Sequence, residues 1–195
     1  MNSNGNTTAI HAGRTRSIIL AIAKPVLFAV LLAATTMAGE IPVPGTPVPI
    51  TLQTFVVMLA ALTLDWRQAA SAVILYLAAG AAGLPVFAGG ASTAALFGPS
   101  AGFLVGFLPG VVVTALLKGH AAKGHALLTA LRYFVASIIG CVAVVYACGF
   151  LVQSALTGAP LAAVALASMG FVAGDLVKAA VASLAIAGVT RLARR

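Results

Sequence analysis

From Ser17 onwards the apolar residues run in long blocks, and the few polar breaks between them fall at nearly regular intervals. Blocks of this length and composition predict helical spans at about 17–38, 50–64, 68–86, 100–117, 128–153 and 171–191. The stretch Gln68–Leu117 contains no charged residue, enough chain for two spans of about 20 residues with a turn between them. The predicted fold class is therefore all-α, an integral membrane bundle of six transmembrane helices. Residues 1–16 are polar and predict a disordered cytoplasmic tail, leaving 17–195 as the six-helix transmembrane domain. Arg14 and Arg16 before an apolar run also suggest a secretory signal. Lys24-Pro25 interrupts that run, however, and more membrane-type sequence follows it, so a retained first helix is expected.

The breaks between blocks set the expected topology. Arg14, Arg16 and Lys24 flank the first span, Asp65-Trp66-Arg67 follows the second, and Lys118, Lys123 and Arg132 surround the break after the fourth. Arg191, Arg194 and Arg195 close the chain. The intervening breaks, Glu40–Ile50, residues 84–100 and residues 153–160, carry no Lys or Arg. Basic and non-basic junctions alternate, so both termini are expected in the cytoplasm, with the chain multi-pass in the cell inner (cytoplasmic) membrane. The first outward junction holds four prolines between Ile41 and Ile50 and predicts a stiff extended segment. The second, Gly83 to Ser100, is apolar for a loop, which leaves two readings: it folds back over the bundle, or it sits at the interface.

Composition agrees with the pattern. Of 195 residues 62% are hydrophobic and 7% charged, with a mean hydropathy of +1.12, against about 25% charged in a soluble domain. The formal charge of +8 punctuates the apolar runs instead of gathering on a soluble face, so no nucleic-acid partner is implied. Cys141 and Cys148 are about two helical turns apart, too far for a disulfide to each other, and have no zinc or redox spacing around them. His11, His120 and His125 fall outside the predicted spans, and no metal site is expected. With no G-x-x-x-x-G-K-[ST] and no H-E-x-x-H the chain is not expected to hydrolyse ATP alone or to be an enzyme, and no cofactor is implied. Back-bonding to the preceding turn accounts for apolar-run serines such as Ser71, Ser137 and Ser183.

One stretch resists this bland reading. Gly170-Phe-Val-Ala-Gly-Asp175-Leu-Val-Lys178 holds opposite charges three residues apart, on one helix face. No other charge occurs between Arg132 and Arg191. Each would cost about 2.5–3.5 kcal/mol at mid-helix in lipid, so such residues face a protein interior and mark function. A structural ion pair between helices is the alternative. Gly170 and Gly174 weaken the helix just before the pair, so Asp175 is expected at or near a helix N-terminus. Ala21, Pro25, Ala29 and Ala33, and again Gly102, Gly106 and Gly110, repeat every four residues as helix-packing surfaces do.

Pro42-Val-Pro-Gly-Thr-Pro-Val-Pro-Ile-Thr-Leu-Gln53-Thr54 resembles the P-x-P-x-P-V-P-I-T-L-Q-T signature of the BioY family, the biotin-specific S components of energy-coupling factor (ECF) transporters. Three further stretches agree in the same order: Tyr76-Leu77 to Gly83-Leu-Pro-Val-Phe87-Ala-Gly89-Gly90, Gly98-Pro-Ser-Ala-Gly-Phe-Leu-Val-Gly-Phe107, and Gly174-Asp175-Leu-Val-Lys178-Ala179. The resemblance implies six helices and biotin bound near the outer face, beneath the loops joining helices 1–2 and 3–4. It implies a transmembrane T component and two ATPase subunits as partners, with ATP hydrolysed there, and is compatible with a homo-oligomer. A self-sufficient biotin transporter is the alternative it permits. Asp175, Lys178 and Gln53 suit the ureido group or carboxylate of biotin, Tyr76 and Phe87 its apolar parts, and Gly89 and Gly90 a close backbone approach. Ala29 and Ala33 would meet the T component, with Pro25 departing from the small-residue pattern. Ala91-Ser92-Thr93 and Ser100-Ala101-Gly102 also depart from the family pattern, so the partner of the biotin carboxylate stays open.

Overall fold

The computed structural model describes residues 21–35, 38–121 and 125–193. The expected tail, 1–16, lies outside them. The described chain is all-α: α1 Ala21–Thr35, α2 Gln53–Thr63, α3 Trp66–Ala81, α4 Ala101–Leu117, α5 Ala126–Thr157, α6 Leu161–Ala167 and α7 Met169–Leu192. Each predicted span overlaps one long helix. The short α6 was not foreseen: Pro160 starts it, and a break at Ser168 separates it from α7. Mean hydropathy reaches 2.5 in α5 and 1.7 in α7, helices long and apolar enough to cross a membrane. Leu127, Leu131, Leu151, Val177 and Leu184 stand exposed along them, a surface suited to lipid.

α4 is the centre of the bundle, packed against α2, α3 and α5, while α7 closes the other side against α2 and α5. The expected glycine surface is real. A Cβ at Gly102 would lie 2.5 Å from the carbonyl oxygen of Cys148, and one at Gly110 2.9 Å from that of Gly140, so α4 and α5 approach backbone to backbone. Where they press closest, α5 widens into a π-helical stretch, Ile138–Val144. The Thr114 hydroxyl donates to the Ala136 carbonyl there (3.2 Å). Widening of this kind rotates everything that follows, and Val145 and Tyr146 come next.

The ends of the bundle differ as the charge pattern requires. At one end the Asp65 carboxylate caps α3, accepting from the backbone N–H of Arg67 (2.9 Å) and Gln68 (3.0 Å). Lys118, just past α4, donates to the carbonyls of Ala61 (2.8 Å), Leu62 (3.1 Å) and Leu64, satisfying acceptors that the end of α2 leaves open. Burial pushes the Lys118 amine down to about 8, against the opposing pull of Asp65. At the other end the three charge-poor junctions meet: a Cβ at Gly45 would touch Ala167, Val43 lies against Gly170, and Glu40 against Gly89.

Two expectations need correcting. The proline-rich segment is a closed loop and not an extended strut, because Ile41 and Ile50 exchange backbone hydrogen bonds (2.9 and 2.8 Å) and Gly45, at φ +87°, turns the chain back. Ser71 does bond back to the Arg67 carbonyl (2.9 Å), whereas the buried Ser137 and Ser183 hydroxyls have no hydrogen-bond partner among the described residues.

Candidate functional site

Beneath the joined loops lies a cavity of about 230 Å³. Its roof is Pro47–Thr51 of the first loop with Ala88, Ala91 and Ala95 of the second, which folds back over the bundle through 3₁₀ turns at Ala88–Gly90 and Thr93–Leu96. Phe103, Leu104 and Phe107 of α4 and Val145 and Tyr146 of α5 form much of its wall. Phe171, Asp175 and Lys178 enter from α7, and Gln53 and Thr54 from α2. Phe103, Tyr146 and Phe171 stand edge to face, with centroids 6.1–6.4 Å apart.

The acid–base pair is an ion pair, Lys178 Nζ to Asp175 Oδ1 at 2.8 Å, with side chains 13% and 5% exposed. Asp175 is well inside α7, beyond its first turn, and not at a helix N-terminus as the glycines suggested. A glycine costs a helix only about 1 kcal/mol, which packing of α7 on its neighbours overrides. The charge is held by side chains instead. Asp175 Oδ1 accepts from the Thr54 hydroxyl (2.9 Å) and from Lys178, and Oδ2 accepts from the Tyr146 hydroxyl (2.7 Å). Lys178 also donates to Thr54 Oγ1 (2.9 Å) and to the Thr51 carbonyl (2.8 Å).

Counting donors and acceptors shows what remains for a ligand. An ammonium has three N–H bonds, and all three of Lys178's are used. With two lone pairs per oxygen, Asp175 Oδ1 is full and Oδ2 keeps one place. The Tyr146 oxygen can still accept. Gln53 donates one N–H to the Tyr76 hydroxyl (2.5 Å) and accepts from the Thr51 hydroxyl (3.2 Å), leaving one N–H and one acceptor site. Around this network the site therefore accepts hydrogen bonds beside Asp175 and donates one beside Gln53, and the Glu40 and Ser100 side chains add further polar groups to the lining. Lys178 reaches a ligand only by giving up a present partner.

The structure thus brings together Asp175, Lys178, Gln53 and Phe87 among the expected residues. Tyr76 stands behind them, bonded to Gln53 and edge-on to Phe87 at 5.2 Å. Gly89 and Gly90 are in the turn between the cavity-lining Ala88 and Ala91 and do not line the cavity themselves. Ala29 packs on the core beside the fully buried Leu32, and Ala33 is half-buried, both outside the cavity. Sequence reasoning missed Tyr146, Phe103 and Phe171. Thr54 was within reach, since it ends the motif that contains Gln53.

Residues 6–195 match the sequence profile of the BioY family. A biotin transporter BioY of Rhizobium etli is 37% identical over 175 residues, covering 87% of this chain and 90% of the relative. Another, of Rhodobacter capsulatus, is 39% identical over 168 residues, covering 81% and 86%. Among solved structures, the S-component for biotin from an ECF-type ABC transporter shares the fold, with a TM-score of 0.82 at 22% identity over 90% of this chain and 93% of that one. A family profile matched almost end to end, relatives at more than a third identity and a shared fold agree: the chain belongs to the BioY family.

Proposed function

We propose that this chain takes up biotin: it binds the vitamin in the cavity between the loops and delivers it inward as the substrate-specific subunit of an ATP-driven ECF transporter. The single observation that carries this reading is the Asp175–Lys178–Thr54–Tyr146 network opening onto a cavity whose remaining wall is mostly aromatic and aliphatic, with Gln53, Thr51, Ser100 and Glu40 as its other polar residues. Biotin has that polarity pattern. Its ureido group offers two N–H donors and one carbonyl acceptor on an otherwise apolar bicycle, and its chain ends in a carboxylate. The open acceptor sites on Asp175 and Tyr146 suit the N–H groups, and the spare N–H of Gln53 suits the carbonyl. Relatives named as biotin transporters support the choice of ligand.

In this reading six helices span the inner membrane with both termini in the cytoplasm. The end carrying Lys118 and Arg132 faces inward and the cavity end faces outward. The sequence has no phosphate-binding loop of the Walker type, so the energy comes from partner ATPases through a T component that meets α1 near Ala29 and Ala33. Calorimetric titration of the detergent-solubilised chain with biotin tests the binding step, and absence of binding would overturn it. Uptake in a host without T and ATPase subunits tests the coupling. Transport there would favour a chain that works alone, and loss of transport on disabling a partner ATPase would favour the complex.

A further inference from the structure

We propose that Gly80 is a positioning residue for the biotin cavity: by leaving a notch in α3 it lets the Phe87 ring retract, and so fixes the cavity's apolar width. This rests on the functional reading above and adds a residue that does not touch the cavity. A Cβ at Gly80 would lie 2.0 Å from Phe87 Cζ, 2.2 Å from Cε2 and 2.8 Å from Cε1, so the tip of the ring occupies the place a side chain would take. Phe87 lines the cavity yet is only 1% exposed. Its backbone N–H donates to the Ala91 carbonyl (2.9 Å), and Thr93 Oγ1 ties the same loop to the carbonyls of Gly80 (3.2 Å) and Ala81 (3.1 Å). The loop is thus held at a fixed distance from α3, and the ring fills what lies between.

The consequence of adding a methyl follows from where the ring can go. Carbon atoms rest about 3.5–4.0 Å apart, so Gly80→Ala must push the ring tip away by roughly 1.5–2 Å. Tyr76 stands against Phe87, edge to face, and the cavity is open space beside it. The ring therefore swings into the cavity. The fold tolerates this, because the displaced atoms are the free end of a side chain and alanine is the better helix former. The ligand does not, because its space is taken. Phe103, a second wall residue, sits the same way on α5, where a Cβ at Gly149 would lie 2.4–2.6 Å from its ring atoms. Gly149 also touches the Gly102 backbone, so Gly80 gives the cleaner test.

The experiment compares wild type, Gly80→Ala, Phe87→Leu and the double variant by ligand-free melting and by biotin titration in detergent. Gly80→Ala is expected to melt close to wild type and to bind biotin about 10–200-fold more weakly, the span that one methylene in a fitted pocket commands. The double variant should bind within about threefold of Phe87→Leu alone, because the added methyl acts only through the ring that Phe87→Leu removes, and changes at two residues in contact do not add. Wild-type affinity in Gly80→Ala, or a double variant weakened relative to Phe87→Leu by the same factor that separates Gly80→Ala from wild type, would overturn the proposal. If Gly80→Ala does not fold, a folded, biotin-binding double variant supports it and an unfolded double variant overturns it. Wild-type protein that bound no biotin would remove the functional reading and this inference together. Binding unaffected by Gly80→Ala removes the inference alone.

Discussion

Asp175→Asn replaces one carboxylate oxygen with an amide nitrogen and removes the acid of the buried ion pair while keeping its shape. Three contacts depend on that carboxylate: the Lys178 ion pair at 2.8 Å, the Thr54 hydroxyl at 2.9 Å and the Tyr146 hydroxyl at 2.7 Å. Removing one partner of a buried pair costs about 3–5 kcal/mol, because the other charge is stranded. Lys178 keeps the Thr51 carbonyl and Thr54 Oγ1, which holds the loss to the lower end of that range, and the variant should still fold. Binding loses separately. A hydrogen bond to a charged group is worth about 1.5–3 kcal/mol, and at 1.4 kcal/mol per decade biotin affinity should fall about 10- to 150-fold. If the amide presents its NH₂ where Oδ2 now accepts, donor meets donor and the upper figure applies. Calorimetric titration gives the affinity, and ligand-free melting in the same detergent separates it from folding. Unchanged affinity in a folded Asp175→Asn would return the pair to a purely structural role.

Tyr146→Phe keeps the aromatic wall and deletes one hydroxyl, so biotin affinity should drop by about tenfold, less than in Asp175→Asn; equal affinity in a titration would show that this hydroxyl serves packing only. Ala29→Leu or Ala33→Leu should leave biotin binding intact and impair uptake, checked by titration against transport in cells with the full complement of subunits; normal uptake by both would take α1 out of the partner interface. Burial lowers the Lys118 amine to about 8 from a free value of 10.5, so between these the unfolded chain holds more protons than the folded one. The stability of wild type relative to Lys118→Met should therefore be highest above pH 10.5 and decline as pH falls through about 8, and a flat difference in pH-dependent melting would contradict this burial effect.

What the sequence disclosed follows from what lipid demands. Long apolar blocks show through because backbone polar groups must be satisfied within helices, and Asp175 and Lys178 stood out because charge at that depth is expensive. Their hydroxyl partners stayed hidden, since Tyr146 in an apolar run reads as packing until Asp175 is placed 2.7 Å away. Gly80 is equally silent as sequence; its meaning depends on Phe87, which comes from a loop. The widening of α5 at Ile138–Val144 lies against Gly110 and Thr114 of α4, a long-range contact that no local pattern records. Leu161–Ala167 is apolar and Ala-rich but too short to span, so α6 left no signal at all. The helix-start reading of Asp175 failed because Gly170 and Gly174 are tolerated inside α7.

Native mass spectrometry of the chain purified in detergent from biotin-supplied cells, beside Asp175→Asn prepared identically, most directly tests whether this cavity holds the vitamin. The expected result is one biotin per wild-type chain and a much reduced or absent adduct in the variant. Wild-type chain carrying no biotin, or an adduct equally strong in both proteins, would contradict it.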